Sequence, residues 1–205
     1  AWGRDGEGQL GDENAHNEAS PVQVHSLTGA VQVAAGEFHS LALKSDGTVW
    51  AWGYNYYGQL GNGTRDNKSK PILVPGLTGV VQVACGASHS LALKSDGTVW
   101  TWGRNIRGQL GDGTTTDRYS PLQVANLTSV VSLAGGVFTS LVVKSDGTVW
   151  GWGDNSGGQL GDGTYTSHST PIQSSNLSGV VQVAGGFYHS LALKSDGTVA
   201  GTGYN

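Results

Sequence analysis

Histidine recurs at intervals of 50 or 100 residues in this sequence. A ring of imidazoles is the chemistry that such a pattern could support. His39, His89 and His189 are separated by 50 residues or a multiple of 50, so a metal ion held between them is one interpretation. The matching third position holds Thr139, and no Asp, Glu or Cys accompanies the histidines at a fixed spacing. The pattern therefore favours a structural, hydrogen-bonding role, and we predict no metal and no cofactor.

Aspartate also recurs, at Asp46, Asp96, Asp146 and Asp196. A pair of carboxylates can catalyse hydrolysis, and carboxylates with further oxygen ligands can bind Ca²⁺. Here each aspartate stands between a serine and a glycine, which is the setting of a tight turn, and its copies lie in separate repeats. The motif Gly-Gln-Leu-Gly lacks the Lys-Ser/Thr of a phosphate-binding loop. We therefore predict no catalytic residue and a protein that is not an enzyme.

A hairpin positions these residues. The sequence Lys-Ser-Asp-Gly-Thr-Val occurs four times, and alternating apolar residues such as Leu41 and Leu43 precede it. Val-Trp-x-Trp follows in the first three copies, so two strands joined by a Ser-Asp-Gly turn are predicted. The two tryptophans are two residues apart and share one face of the strand. We predict that this face packs between neighbouring copies of the repeat, as the inter-blade core of a β-sheet array, rather than forming a stacking platform for sugars or bases. The tryptophans concerned are Trp50, Trp52, Trp100, Trp102, Trp150 and Trp152.

The hairpin belongs to a repeat of 50 residues. Segments 1–50, 51–100, 101–150 and 151–200 align without a gap, and 201–205 overlays 1–5 as the start of a fifth unit. Each segment carries signals for about four short antiparallel strands and none for a helix, with a short outer strand predicted to begin at each proline: Pro21, Pro71, Pro121 and Pro171. Four strands per 40–50 residues is typical of a propeller blade. We predict a single all-β array of β-propeller blades.

Composition excludes several classes of protein. The formal net charge of −4 argues against binding nucleic acid, whose phosphates require a basic face. No apolar run reaches the roughly 18–20 residues of a membrane span, so we expect neither a membrane span nor a signal peptide within this sequence. The absence of an initiator Met suggests a processed or excerpted chain. The lone Cys85 shares its position with Ala35, Gly135 and Gly185, which indicates a small buried filler.

One repeat contains a pattern known from a family. Residues 52–64 read Trp-Gly-x-Asn-x-x-Gly-Gln-Leu-Gly-x-Gly-Thr, and residues 80–93 read Val-x-x-Val-x-x-Gly-x-x-His-Ser-Leu-Ala-Leu. This pattern resembles the regulator of chromosome condensation repeat, and the resemblance covers all four repeats. It implies a β-propeller, typically of seven blades. The Lys-Ser-Asp-Gly-Thr-Val version resembles the bacterial branch, often secreted or on the surface, which predicts an extracellular or cell-surface location.

The sequence departs from that pattern in length and at its end. Four repeats are fewer than the usual ring requires, and the expected tryptophans of the last strand are replaced by Ala200 and Thr202, as in a capping unit. Three alternatives remain open: an excerpt of a longer propeller, two copies closing an eight-bladed ring, or copies joined head to tail as a fibre. Repeats one and four are both net acidic, which disfavours the fibre.

The repeats differ mainly in their loops. Constant positions build a scaffold, so variable loops are where recognition can be encoded, although drift produces the same variation. Tyrosine and arginine are enriched there, which suits a protein interface. The predicted interaction residues are Arg4, Glu7, Tyr54, Tyr56, Tyr57, Arg65, Arg104, Arg107, Arg118, Tyr119 and Tyr165. Candidate N-glycosylation sites are Asn62, Asn67, Asn126 and Asn176.

These observations predict a non-catalytic structural or protein-binding scaffold, whose partner is another protein or further copies of the chain. The alternative is a regulatory protein that docks on a GTPase or hydrolase as exchange factor or inhibitor, as members of the resembled family do. In that family the exchange role depends on an inserted wedge, and the gapless repeats contain no insertion.

Overall fold

The computed structural model describes residues 1–204, which form four antiparallel sheets. Blade 1 contains β1 (Ala30–Ala35), β2 (His39–Lys44), β3 (Val49–Gly53) and β4 (Lys68–Leu73). Blade 2 contains β5 (Val80–Cys85), β6 (His89–Lys94), β7 (Val99–Gly103) and β8 (Arg118–Gln123). Blade 3 contains β9 (Val130–Gly135), β10 (Thr139–Lys144), β11 (Val149–Gly153) and β12 (His168–Gln173). Blade 4 contains β13 (Val180–Gly185), β14 (His189–Lys194) and β15 (Val199–Gly203).

Each blade is a meander in which consecutive strands pair. The first strands of successive blades contact one another, so β1, β5, β9 and β13 form the inner row of the array. The predicted all-β architecture of propeller blades is confirmed. The blades are offset from the 50-residue segments, because each segment boundary falls inside a third strand.

Residues 1–29 form the outer half of a further blade. The Gly3 amide donates to the Glu18 carbonyl at 2.7 Å, and the Val22 amide donates to the Ala1 carbonyl at 2.8 Å. These two segments therefore pair as the third and fourth strands do elsewhere, and Gly3 and Glu18 make an antiparallel bridge.

The predicted hairpin is present in every blade. In blade 1, β2 pairs with β3 from His39–Gly53 to Leu43–Val49. Asp46 closes the turn, because its Oδ1 accepts from the Thr48 amide at 3.0 Å and from Thr48 Oγ1 at 2.6 Å. Gly47 has a φ of 77°, a conformation that favours glycine. The hydrogen bonds from Thr48 lower the pKa of the exposed Asp46 carboxyl, and the same holds in the other three turns. These aspartates serve the turn.

The predicted start of the outer strand is wrong by three residues. β4, β8 and β12 begin at Lys68, Arg118 and His168, so each proline lies inside its strand. A proline is tolerated there because the outermost strand of a blade has one unpaired edge, towards which a missing N–H costs no ladder hydrogen bond.

Glutamine side chains join the inner strands of adjacent blades. Gln82 in β5 donates from Nε2 to the Leu133 carbonyl in β9, and its Oε1 accepts from the Leu133 amide, both at 3.1 Å. Gln32 makes the same pair of bonds to Val83. In blade 3 the position holds Ser132, and in blade 4 it holds the exposed Gln182.

Replacing Gln82 by leucine is expected to lower the free energy of unfolding by about 1–3 kcal/mol, because the Leu133 amide and carbonyl lose their partners. The same change at the exposed Gln182 is the matched control and should stay within about 0.5 kcal/mol in the isolated chain. Urea unfolding followed by circular dichroism measures both. Equal losses at the two positions would show that the bidentate bond does not hold the blades together.

Candidate interaction surface

The second tryptophan of each pair is buried between a blade and the turn that precedes it. Trp102 is fully buried and donates from Nε1 to the Gln59 carbonyl at 2.8 Å. Trp52 and Trp152 make the same bond to Gln9 and Gln109. The last glycine of each of the first three Gly-Gln-Leu-Gly motifs faces the indole: a Cβ added at Gly61 would lie 2.8 Å from Trp102 Nε1. These indoles belong to the interior and offer no ring face to a ligand.

The first tryptophan of each pair lies nearer the surface. Trp50, Trp100 and Trp150 are half-buried, and each donates from Nε1 to the threonine two residues before it. A lysine of the adjacent strand covers each ring, with Lys94 Nζ at 4.3 Å from the Trp100 ring. The six predicted tryptophans thus form two rows, one inside the array and one at its periphery.

The last position of the buried tryptophan row departs from the pattern. Thr202 stands where Trp52, Trp102 and Trp152 stand in the other blades, and its Oγ1 donates to the Gly158 carbonyl at 2.9 Å. A cavity of about 290 Å³ lies beside it, lined by residues that include Leu141, Leu160 and Gly161. The short side chain therefore leaves open space where the other blades hold an indole.

The predicted histidines lie inside the array. His39 Nε2 is 3.0 Å from Ser90 Oγ in the next blade, and His89 Nε2 is 3.0 Å from Ser140 Oγ. Each serine hydroxyl already donates to a main-chain carbonyl, so we assign the proton to Nε2 of each histidine. His189 is exposed at the far end of the array. Among residues 1–204 no group of three or more metal-ligating side chains is present.

Burial sets the charge state of these rings. It lowers the pKa of His39 to about 3, with a further contribution from His89, and it lowers the pKa of His89 to about 4. Burial also raises the pKa of the Cys85 thiol, which opposes formation of a thiolate nucleophile. At neutral pH the two histidines are uncharged links between blades.

The loops at one edge of the blades bring rings and guanidinium groups into a continuous row. These loops connect first to second strands and third to fourth strands, which lie at the same edge of a meander. Arg104, which follows β7 in blade 2, joins the blades on both sides, since its guanidinium carbon lies 4.6 Å from the Tyr57 ring and 5.5 Å from the Phe138 ring. We call this row the aromatic–arginine face; its members are Arg4, Phe38, Tyr54, Tyr56, Tyr57, Arg65, Arg104, Tyr119, Phe138, Phe187 and Tyr188.

The ends of the row are also joined by contacts. At the front, the Arg4 guanidinium lies 5.1 Å from the Phe38 ring, and the Phe38 ring centre is 6.3 Å from that of Tyr54. At the back, Phe187 lies 6.2 Å from Phe138 and 4.3 Å from Tyr188. Arg65 forms a branch between Tyr56 and Tyr119, at 4.4 and 5.4 Å. Stacking fixes these flexible side chains in place, which lowers the entropy that a partner would have to remove.

Four predicted interaction residues lie outside this row. Glu7 accepts from Asn67 Nδ2 at 2.7 Å, and Arg118 pairs with Asp112 at 2.6 Å. Arg107 and Tyr165 are exposed, Tyr165 with 76% of its surface accessible. Their assignment to a partner stays a prediction.

Sequence reasoning missed four members of the row: Phe38, Phe138, Phe187 and Tyr188. They occupy the short loop just before the histidine position, where the repeats read Glu-Phe, Ala-Ser, Val-Phe and Phe-Tyr. This position varies as much as the loops that were selected. Variation between repeats in these short loops is the sequence signal that marks the four residues.

The candidate glycosylation sites occupy turns. Asn126 and Asn176 are exposed, with φ of 58° and 57°, before β9 and β13. Asn67 is exposed, and Asn62 Oδ1 accepts from the Thr64 amide at 3.1 Å. N-glycosylation at all four stays a prediction.

Comparison with known proteins identifies the family. A family model described as the RCC1-like domain matches residues 1–205. Human WBSCR16 is similar at 26% identity with a TM-score of 0.85, over 98% of this chain and 56% of that one. Yeast RCC1 (Prp20), solved bound to Kap60, is similar at 26% identity with a TM-score of 0.84, over 100% of this chain and 51% of that one.

The chain thus spans about half the length of the solved structures it matches. A second structure of Prp20 from Saccharomyces cerevisiae, described with its binding to Gsp1p and histones, gives 25% identity and a TM-score of 0.79, over 99% of this chain and 50% of that one. The partial propeller of this chain is therefore built like half of a full propeller. On the match of the family model to its whole length, this chain belongs to the RCC1-like family of β-propellers.

Proposed function

We propose that this chain is a non-catalytic protein-binding scaffold that engages its partner through the aromatic–arginine face. The observation that carries the proposal is the unbroken row of rings and guanidinium groups, which runs across all four blades. RCC1-like repeats are generally non-catalytic binding domains, and Prp20 was solved with a bound protein.

The chemistry of the row suits a protein partner. Tyrosine and arginine dominate the residues that carry most of the energy of protein interfaces. Four aromatic members expose at least 36% of their surface, so a partner can bury them: Tyr56, Tyr119, Phe187 and Tyr188. Arg65 donates from Nε to the Tyr56 carbonyl at 2.8 Å, and its remaining N–H groups are the donors that a carboxylate or carbonyl group of a partner could accept.

A pull-down experiment compares the proteins that the wild-type chain retains with those that the double variant Arg104→Ala/Tyr57→Ala retains. We expect the partner to be lost from the variant, since truncating a central hot spot weakens binding by about tenfold or more. Lys94→Ala is the matched control, because it removes a cation–π contact with Trp100 near the opposite edge of the blade. Retention of the same proteins by both variants would exclude this face as the binding site.

We also propose that copies of the chain associate end to end. Gln182 and His189 lie exposed on blade 4, whereas their equivalents bond the next blade. Val33 at the opposite end is 71% exposed. Its equivalents Val83 and Leu133 are buried, and each is hydrogen-bonded by the glutamine of the preceding blade. Light scattering over a range of concentrations tests this: the mass should rise in multiples of 21.2 kDa.

An extracellular or cell-surface location is part of the proposal. It follows from the likeness of the repeats to the bacterial branch. Expression with a secretion signal in a glycosylating host, followed by intact-mass measurement, tests whether the sequons carry sugar. Among residues 1–204, no helix has the length and apolarity to cross a bilayer.

A further inference from the structure

One buried position of the repeat holds an asparagine in three blades and an aspartate in segment 1–50. Asn55, Asn105 and Asn155 lie in the loop that follows the third strand, and Asp5 lies at the same position of the first segment. All four side chains are completely buried. A side-chain amide has both donors and an acceptor, whereas a carboxylate only accepts. The exchange therefore alters the chemistry of a buried position while it keeps the shape of the side chain.

The asparagines show what this position requires. Asn105 Oδ1 accepts from the Leu110 amide at 2.9 Å. Asn105 Nδ2 donates to Asp112 Oδ1 at 3.1 Å, to the Thr114 carbonyl at 3.1 Å and to the Thr116 carbonyl at 3.0 Å. The asparagines of the two other loops make the same set of bonds. The amide nitrogen thus fills a pocket lined by oxygen atoms, which calls for a donor or a cation.

Asp5 keeps the orientation of the asparagines but presents an oxygen atom to its pocket. Its Oδ1 accepts from the Leu10 amide at 2.7 Å, and its own amide donates to Asn17 Oδ1 at 2.9 Å, as the Asn55 amide donates to Asn67 Oδ1. Asp5 Oδ2 therefore takes the place of the amide nitrogen. In the described chain, residues 1–204, this buried oxygen has no hydrogen-bond partner, which is costly for a polar atom away from water.

A second carboxylate faces Asp5. Asp12 Oδ1 accepts from the amide two residues further on at 3.0 Å, as the equivalent Asp112 Oδ1 does at 2.9 Å. Two carboxylate oxygens therefore meet where the other loops form an N–H···O bond. Burial raises the pKa of the Asp5 carboxyl, and the charge of Asp12 adds to that rise, whereas the Leu10 and Ala15 amides oppose it.

The first segment also lacks the basic side chain that balances charge in two of the other loops. Arg118 pairs with Asp112 at 2.6 Å, and His168 lies 3.0 Å from Asp162. The equivalent position of the first segment holds Glu18. One carboxylate thus meets one basic side chain in each of those loops, whereas these positions of the first segment hold carboxylates and no basic group.

We propose that the pocket between Asp5 and Asp12 binds Ca²⁺. A cation beside Asp5 Oδ2 supplies the positive charge that the asparagine N–H groups supply in the other loops. Ca²⁺ accepts about six to eight oxygen ligands in a flexible geometry, whereas Mg²⁺ demands a near-ideal octahedron. Water and main-chain oxygens of the loop would provide the remaining ligands. With two carboxylates only, we expect a dissociation constant of about 10⁻⁴–10⁻³ M, the range of extracellular calcium modules.

This site lies outside the candidates that the sequence pattern suggests. The pattern points to the recurring histidines and turn aspartates, and it predicts no metal. Asp5 is marked instead by a break in the repeat at a position that proves to be buried. The site is contained in one loop and needs no partner, so its failure would leave the proposed function untouched.

Isothermal titration calorimetry with CaCl₂ tests the proposal on the whole chain, after metal is removed with a chelator. We expect one Ca²⁺ per chain. Asp5→Asn restores the amide of the other loops and should weaken binding at least about tenfold, since removing even a partner of a ligand costs roughly 10–100-fold. Asp12→Asn should do the same, and Asn62 shows that asparagine fits that position. Intact mass checks that the amide introduced before Gly6 persists.

Asp162→Asn is the matched control, because it makes the same change of charge at the equivalent of Asp12. In that loop the Asn155 amide and His168 already face the carboxylate, so the Ca²⁺ affinity should be unchanged. Urea unfolding gives a second readout. Without metal, Asp5→Asn should unfold at a higher urea concentration than the wild type, and CaCl₂ should raise the midpoint of the wild type alone.

The outcomes are distinct. Binding to the wild type and to Asp162→Asn, with loss in Asp5→Asn and Asp12→Asn, supports the site. Absence of binding to the wild type at ~10 mM CaCl₂, about tenfold above the weakest expected dissociation constant, would overturn it and would indicate that the two carboxyl groups share a proton. Equal binding by the wild type and Asp5→Asn would also overturn it, because the ion would then lie elsewhere.

Discussion

Replacing Trp102 by threonine is expected to lower the free energy of unfolding by about 3–5 kcal/mol, the range for truncation of a buried tryptophan. Trp102 is fully buried between blades 1 and 2, in a core that includes Leu41, Leu60 and Val74. The loss is a large part of the roughly 5–15 kcal/mol that stabilises a typical domain. Threonine is the appropriate replacement because Thr202 shows that it fits this position of the repeat.

Trp2→Thr is the matched control, since it makes the same chemical change at the same position of the repeat. Trp2 is 67% exposed, so the change should stay within about 0.5 kcal/mol when the chain is dilute enough to be monomeric. Urea unfolding followed by far-ultraviolet circular dichroism measures both variants without relying on tryptophan fluorescence. A loss of unfolding free energy at Trp102 no larger than that at Trp2 would contradict the inter-blade role of the buried tryptophan row.

Lowering the pH from 7 to 5 is expected to remove about 4 kcal/mol of stability through His39 and His89. Their pKa values in the folded chain are lowered to about 3 and about 4, below the ordinary value of 6.5. Between pH 6.5 and pH 4 the unfolded chain therefore binds two protons that the folded chain excludes. Stability is fully present above pH 6.5 and falls as the pH drops, by about 2 kcal/mol for each histidine at pH 5.

The aspartates of the four hairpin turns lose their contribution in a lower pH window. The turn aspartates have pKa values lowered from 3.8, so their contribution is lost only as the pH falls below that value. A double variant, His39→Thr/His89→Thr, provides the control, because Thr139 occupies this position naturally. The variant should be less stable at pH 7 and should lose much less stability between pH 7 and 5. An equal pH dependence in both proteins would show that these histidines are not the source.

The local elements could be predicted from the sequence because their causes are local. Ser-Asp-Gly requires only its own backbone and Thr48 to close a turn, and Leu41 and Leu43 mark a strand by alternation. The exact 50-residue period then fixes the blade, since a short β-sheet buries its faces only against its neighbours. The proline was the exception: its place inside β4 depends on which edge of the strand is unpaired, and only the pairing of the blade decides that.

Tertiary structure alone decided which side chains of different repeats meet. The sequence shows Trp2, Trp102 and Thr202 as one position, but burial depends on whether a Gly-Gln-Leu-Gly turn and a neighbouring blade cover it. Likewise, Arg104 and Phe138 are 34 residues apart in sequence and 5.5 Å apart in space, because the meander brings two kinds of loop to one edge. The repeat period determined the blade, whereas the contacts between blades, which no single repeat contains, determined the interior and the aromatic–arginine face.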